Sequence, residues 1–275
     1  MSRITGRFQE LRGRGRTALI PYITAGDPQP AVTVALMHAL VEAGADILEL
    51  GVPFSDPMAD GPTIQAACER ALVHHVSLHN VLDMVREFRG QDAATPVVLM
   101  GYLNPVEVMG YAEFARAAQA AGVDGVLTVD LPPEEGHDLV VQLKAAELDP
   151  IFLAAPTSSD ARIRQMSDNG GGFLYYVSFK GVTGANRLDV AAVRDKLQQI
   201  RANTGLPVGV GFGIRDAETA TRIAEFSDAV VVGSALVKRI AALADQPERI
   251  VAEAPAIIAE MRSAMDAGDS VAAAN

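Results

Sequence analysis

The chain has 275 residues, of which 49% are hydrophobic and only 5% aromatic, with no tryptophan, so its core must be large and aliphatic. Its formal net charge is -11, a field that repels polyanions such as DNA and RNA, and no basic patch with interleaved aromatics offsets it. Cys68 is the only cysteine, which excludes an internal disulfide and suits a reducing compartment; it reads as a packed thiol rather than a nucleophile.

In chain order, the first feature is basic. Arg3, Arg7, Arg12, Arg14 and Arg16 stand against one acid, Glu10, a composition shared with organelle transit peptides. Ile4, Phe8 and Leu11 nevertheless fall at helical spacing, which predicts a short amphipathic helix packed on the domain. No secretory h-region follows, no apolar run reaches the roughly 18 residues of a membrane span, and the expected location is the cytoplasm.

Short β-branched runs then appear at 18–24, 47–53, 96–101, 125–129, 150–154, 173–178, 207–211 and 229–233. Helical patterns separate them, at 31–43, 78–89, 111–121, 133–147, 160–167, 189–202 and 216–224, and two more, at 235–244 and 247–266, close the chain. Several open on Asp or Pro, as helix caps and first-turn residues should. Eight strands each followed by helix predict an α/β fold of the (β/α)8 TIM-barrel type, with an additional N-terminal helix, rather than an open doubly wound sheet. No linker or change of composition marks a boundary. A single domain over 1–275 is expected, with the barrel proper at about 17–266 and a frayed Ala-rich tail at 267–275.

Two strand-to-helix connections are longer than the rest. One contains FSDPMADGPTIQ and the other FKGVTGANR. Such barrels build their active sites from loops at the C-terminal ends of the strands, so chemistry is expected there. The second run reads ILELGVP. With a period of two, Ile47, Glu49 and Gly51 share one face, and Leu48, Leu50 and Val52 the other. The apolar face suits the layer beneath the helices, which turns Glu49 into the barrel. A carboxyl deprived of water there acquires a raised pKa, as a general acid/base near neutral pH requires. A structural Glu paired with an arginine also fits, although no Arg or Lys lies in any proposed strand. Asp60, on the following loop, precedes Gly61 and reads equally as a turn former.

Glycines at 181 and 184, at 211 and 213, and at 233, followed by Ser234, come after the sixth, seventh and eighth strands. Jointly they fit a phosphate cradle, in which free N–H groups and a helix N-terminus hold a dianion; separately, each serves a tight turn. The four lysines, Lys144, Lys180, Lys196 and Lys238, lie outside the strands, and only Lys180 is a marginal Schiff-base candidate. His38, His74, His75, His79 and His137 lack the spacing of a metal site, and none is expected.

LELGVPFSDPMADGPTIQ at 48–65 resembles the signature of the tryptophan synthase alpha subunit family. PYITAGDP near the start, MGYLNP at 100–105, VDLPPEE at 129–135, GVTG at 181–184, GFGI at 211–214 and GSALVK at 233–238 are similar to further segments of that family, in order. The resemblance implies a barrel lyase that cleaves indole-3-glycerol phosphate to indole and glyceraldehyde 3-phosphate. It implies no cofactor in this chain and a pyridoxal-phosphate-dependent beta subunit as partner, in an αββα complex. It gives Glu49 the acid/base role at indole C3 and Asp60 the stabilisation of the indolenine cation. Tyr175 matches a site tyrosine and Thr183 a loop threonine that closes against Asp60. Gly184, Gly213, Gly233 and Ser234 match phosphate contacts. Tyr22, Met100, Leu127, Phe212 and Val232 match the indole pocket, with Tyr22 and Met100 where some members have Phe and Leu. Pro53, Asp56, Asn104 and Pro132 match positions that dock the beta subunit. A stand-alone indole-releasing lyase and a mainly allosteric activating subunit are the alternatives; retention of both carboxylates argues against the latter.

Overall fold

The computed structural model describes residues 2–177, 190–211 and 213–272. In chain order the elements are α1 (Arg3–Gly13), β1 (Ala18–Thr24), α2 (Pro30–Glu42), β2 (Leu48–Gly51), α3 (Pro62–Leu72), α4 (Leu78–Arg89), β3 (Val97–Gly101), α5 (Leu103–Met109), α6 (Tyr111–Ala121), β4 (Gly125–Thr128) and α7 (His137–Ala145). They continue with β5 (Asp149–Ile151), β6 (Leu153–Ala154), α8 (Asp160–Asn169), β7 (Leu174–Val177), α9 (Val190–Arg201), β8 (Val208–Gly211), α10 (Ala217–Ala224), β9 (Ala229–Val232), α11 (Ser234–Ala242), α12 (Pro247–Glu253) and α13 (Ala256–Ala272).

The strands form one parallel sheet in the order β5-β4-β3-β2-β1-β9-β8-β7-β6. Its two edges, β5 and β6, are consecutive in the chain and separated only by Phe152, whose carbonyl accepts a hydrogen bond from Tyr175 N at 3.0 Å. The sheet therefore begins and ends in one stretch of backbone and wraps into a nearly closed TIM barrel. The single run expected at 150–154 is the piece that divides, which raises the strand number among the described residues from eight to nine.

Other boundaries differ from the sequence reading for local reasons. α3 and α5 interrupt stretches expected to be loop, and Gly61-Pro62 opens α3 by placing Pro in its first turn. The helix expected from 133 begins at His137, after a turn at 132–135 closed by Glu135 N to Pro132 O at 3.1 Å. The closing helix divides into α12 and α13 around Pro255, and α13 runs to Ala272.

Alternation along the strands separates two apolar layers. Leu48, Leu50 and Val52 of the β2 segment pack outward with Leu36, Leu40, Val81 and Val85 of α2 and α4. Ile20, Ile47, Val98, Leu127, Ile151, Phe173 and Val231 fill the barrel. Ile4, Phe8 and Leu11 of α1 join that inner cluster from the N-terminal end. Burying each contributes roughly 1.5–3 kcal/mol. The fit is close: Phe8 and Phe173 rings lie 5.8 Å apart, and a Cβ on Gly125 would meet Ile4 Cδ1 at 2.9 Å.

The rim at this end is fixed by three aspartates that each precede a strand. Asp46, Asp124 and Asp228 accept the backbone N–H of Leu19, Val97 and Val208 at 2.9, 2.8 and 2.9 Å. Arginines cover them, with Arg89 and Arg3 on Asp124 at 2.6 and 2.8 Å and Arg201 on Asp228 at 3.0 Å. Charge at the N-terminal rim is thus paired, and barrels of this kind carry their chemistry at the opposite mouth.

Candidate active site

At the mouth, β2 delivers Glu49. Its neighbours in register are Tyr22 on β1 and Val98 on β3. The side chain is 1% exposed, and its Oε1 has no hydrogen-bond partner among the described residues. An unsatisfied buried oxygen costs about 1–3 kcal/mol unless something supplies a partner. Burial, and after it the nearby Asp60 charge, push the Glu49 carboxyl up to about 8. At neutral pH it therefore holds a proton in a dry site.

Asp60 is fixed differently. It lies on the connection from β2 to α3, and the Tyr102 hydroxyl donates to its Oδ2 at 2.9 Å. The same hydroxyl accepts from Ala59 N at 3.0 Å, and the Tyr102 ring stacks on Phe54 at 5.2 Å between centroids. Gln65 Nε2 donates to Asp60 O at 2.9 Å. Burial raises the Asp60 pKa and the hydrogen bond from Tyr102 opposes the rise. Two carboxyls in one site thus meet unequal environments, the arrangement that separates an acid from a charge stabiliser.

Two tyrosines are recessed into the barrel wall. The Tyr22 hydroxyl occupies the side-chain space of Gly51, where a Cβ would lie 2.1 Å from it, and shares a 3.1 Å hydrogen bond with Thr24 Oγ1. Tyr175 stands in the same way over Gly211, with 2.0 Å to a hypothetical Cβ. Only glycine admits either ring. Burial raises both hydroxyl pKa values, and the charges of Glu49 and Asp60 add to the effect.

Of the other expected positions, Leu127 faces the barrel interior, with Met100 packed against the same cluster. Val232 belongs to the outer, helix-facing layer instead. Gly213 has φ +81°, and Gly233 leads into Ser234 at the N-terminus of α11, next to Tyr22. Lys180, Thr183, Gly184 and Phe212 lie outside the described residues. Asp56 and Asn104 are exposed, Pro132 is half-buried and Pro53 is buried. Tyr102, Gly51, Thr24 and Gln65 are additions that sequence reasoning missed. The available signal for Tyr102 was its place just after β3, in the MGYLNP segment. Among the described residues no group of three or more His, Cys, Asp or Glu side chains is placed to hold a metal ion. None of their helices is long and apolar enough to cross a membrane.

A family model described as tryptophan synthase alpha chain matches residues 8–266. The tryptophan synthase alpha chain of Thioalkalivibrio sulfidiphilus is 67% identical over 269 residues, which cover 97% of this chain and 100% of that protein. That of Methylococcus capsulatus is 62% identical over 267 residues, covering 97% and 100%. Among solved structures, tryptophan synthase subunit alpha from Legionella pneumophila superposes with a TM-score of 0.91 at 44% identity, covering 97% of this chain and 99% of that one.

Proposed function

The chain belongs to the tryptophan synthase alpha chain family, and from that premise we propose that it cleaves indole-3-glycerol phosphate to indole and glyceraldehyde 3-phosphate by a retro-aldol reaction. The observation that carries the assignment of roles is Glu49, a buried protonated carboxyl whose Oε1 has no hydrogen-bond partner among the described residues, set near the charge of Asp60.

Glu49 gives its proton to indole C3. The ring becomes an indolenine cation, and the Asp60 carboxylate stabilises it at the ring N–H. The cation is the electron sink. As the proton of the adjacent glycerol hydroxyl returns to Glu49, the carbon–carbon bond breaks and its electron pair restores the aromatic indole. Glu49 ends protonated, so the cycle balances. Its pKa of about 8 suits both halves of this exchange near neutral pH. Gly213, Gly233, Ser234 and the N-terminus of α11, with Gly184, are assigned to the phosphate. Tyr22, Met100, Leu127 and Tyr175, with Phe212, are assigned to the indole ring, and Thr183 to closure over Asp60. Val232 supports that pocket from behind, given its place in the outer layer.

The partner is a pyridoxal-phosphate-dependent beta subunit in an αββα complex, which takes up the indole in the cytoplasm; this chain needs no cofactor of its own. Its docking face comprises Asp56 and Asn104, with Pro53 and Pro132 shaping the loops beneath. Met58 and Val108, 85% and 82% exposed, stand beside them in the chain and support that reading, since large apolar side chains so exposed favour a covering surface.

The deciding experiment is indole release from indole-3-glycerol phosphate by the purified chain, alone and with the beta subunit. Turnover that rises with the partner is expected. Full turnover that the partner leaves unchanged would indicate a stand-alone lyase. No turnover in either case, with the beta reaction still stimulated, would indicate a purely activating subunit.

A further inference from the structure

Asp27 and Arg70 form an ion pair that the proposed reaction does not use. Asp27 follows β1 and is 2% exposed. Arg70 lies on α3 and donates from Nε and Nη2 to the two carboxylate oxygens at 2.6 and 2.9 Å. Burial raises the Asp27 pKa against the opposing pull of Arg70, and buried pairs of this kind add little net stability. A two-point arginine–carboxylate contact instead fixes distance and direction. The segment bearing Asp27 is itself tied to the barrel, with Ala25 N donating to Gly51 O at 2.9 Å and Gly26 N to Thr33 Oγ1 at 2.9 Å.

The packing of α3 gives that pair something to fix. Its buried face is Ile64, Ala67, Cys68 and Ala71, small side chains apart from Ile64, and it lies against β1 and α11. Small side chains make shallow ridges, which resist sliding along the helix axis only weakly. Near the Arg70 end, His74 Nε2 is hydrogen-bonded to Pro28 O at 2.9 Å, and a Cβ on Gly26, at φ +85°, would meet Val76 Cγ2 at 2.6 Å. Near the other end, Gln65 Nε2 donates to Asp60 O at 2.9 Å and to Pro57 O at 3.4 Å. One helix thus joins the ion pair to the loop that carries Asp60.

We infer that Asp27 and Arg70 are positioning residues for the reaction: the pair sets where α3 lies along its axis, and α3, through Gln65, sets how the Asp60 carboxylate meets the substrate. The inference rests on the reading that Asp60 stabilises the cation formed on the ring. A helix released from the pair carries the Asp60 loop with it, and misplacement by about 1 Å costs on the order of 100-fold in rate.

The experiment measures kcat and KM for indole release from indole-3-glycerol phosphate by the chain with its beta subunit. It compares the wild type with Arg70→Lys, Gln65→Leu and Asp60→Asn, and with the first two each combined with Asp60→Asn. Lys keeps the charge of Arg70 without its fork, and Leu keeps the bulk of Gln65 without its donor. Each of the two should lower kcat roughly 10- to 100-fold and change KM less, because the cation exists only after the ring is protonated. In the Asp60→Asn background each should leave kcat nearly unchanged, since the carboxylate they position is gone. General loosening of the fold would lower kcat by the same factor in both backgrounds. Equal factors in the two backgrounds, or an unchanged kcat in either single variant, overturn the inference. If Arg70→Lys does not fold, Asp27→Leu combined with Arg70→Met replaces the pair without leaving a charge buried alone, and the same outcomes apply to it. An Asp60→Asn complex that turns over like the wild type overturns the underlying reading of Asp60 instead.

Discussion

The Tyr102 hydroxyl sits between Ala59 and Asp60, accepting from the backbone N–H of the first at 3.0 Å and donating to the carboxylate of the second at 2.9 Å. Asp60 thereby gains a fixed direction on an otherwise half-exposed loop. In Tyr102→Phe the stacked ring remains and the donor is lost. A hydrogen bond to a charged group is worth about 1.5–3 kcal/mol, so kcat/KM for indole release should fall roughly 10- to 150-fold. Because that bond also holds the Asp60 pKa down, the acidic limb of the pH profile should move to higher pH. A variant with wild-type rate and profile would remove Tyr102 from the account.

Glu49→Gln keeps the shape of the side chain and abolishes its proton transfer. Its kcat should fall by the ~10²–10⁴-fold typical of general acid/base catalysis, with substrate affinity largely kept. In the wild type, kcat/KM should decline above about pH 8, where the free enzyme loses this proton. Single-turnover indole formation and substrate binding measured on the same variant separate the two quantities; near-wild-type turnover would exclude the proposed acid.

The same substitution has a signature in stability. Glu49 stays protonated in the folded chain up to about 8, whereas an ordinary glutamate, as in the unfolded chain, ionises near 4.5. Between these values the folded state binds the extra proton, so this group's contribution to stability declines as the pH rises. Gln does not titrate. Thermal unfolding should show Glu49→Gln gaining on the wild type as the pH increases through that window, by on the order of a few kcal/mol, with no such trend below it. Parallel curves across the whole window would contradict the burial-raised pKa.

Asp124 tests the opposite rim. It is buried and holds Arg89, Arg3 and the N–H of Val97. Asp124→Ala leaves Arg89 with a partly buried, uncompensated charge and should cost about 3–5 kcal/mol of unfolding free energy in denaturant titrations. At a temperature where the variant is folded, its KM should stay near the wild-type value, since nothing at the mouth touches it. A large KM change would show that the two ends are coupled.

Glu49 was legible in the sequence because strand alternation is a local rule: once Leu48, Leu50 and Val52 face the helices, residue 49 must face inward. The eight βα units were legible for the same reason. Asp60 had no comparable signal, since its setting depends on Tyr102, 42 positions away on another loop, and no period links them. Gly51 reads as a strand glycine and Gly211 as part of the phosphate cradle; that the rings of Tyr22 and Tyr175 lie over them shows only in the structure. The break at Phe152 follows from barrel closure, a property of the whole sheet. α3 was hidden for a different reason: Pro62 beside Gly61 reads as a turn, although Ile64, Ala67, Cys68 and Ala71 carry helical spacing beyond it. Val232, matched to the pocket by resemblance, lies by strand parity in the outer layer, a placement that resemblance alone does not give.

The plug formed by α1 carries a consequence for where this protein's acidity comes from. The side chains that fill the barrel need cover at its far end, while the mouth must stay open to admit a substrate. The dryness that holds a proton on Glu49 therefore rests on that packed interior and on its cap, supplied by Ile4, Phe8 and Leu11 from a helix that precedes the first repeat. A chain trimmed to begin at β1 would keep every residue proposed for the chemistry and expose the lower layer of the interior to water. The acid at the mouth is in this sense supported from the opposite end of the barrel.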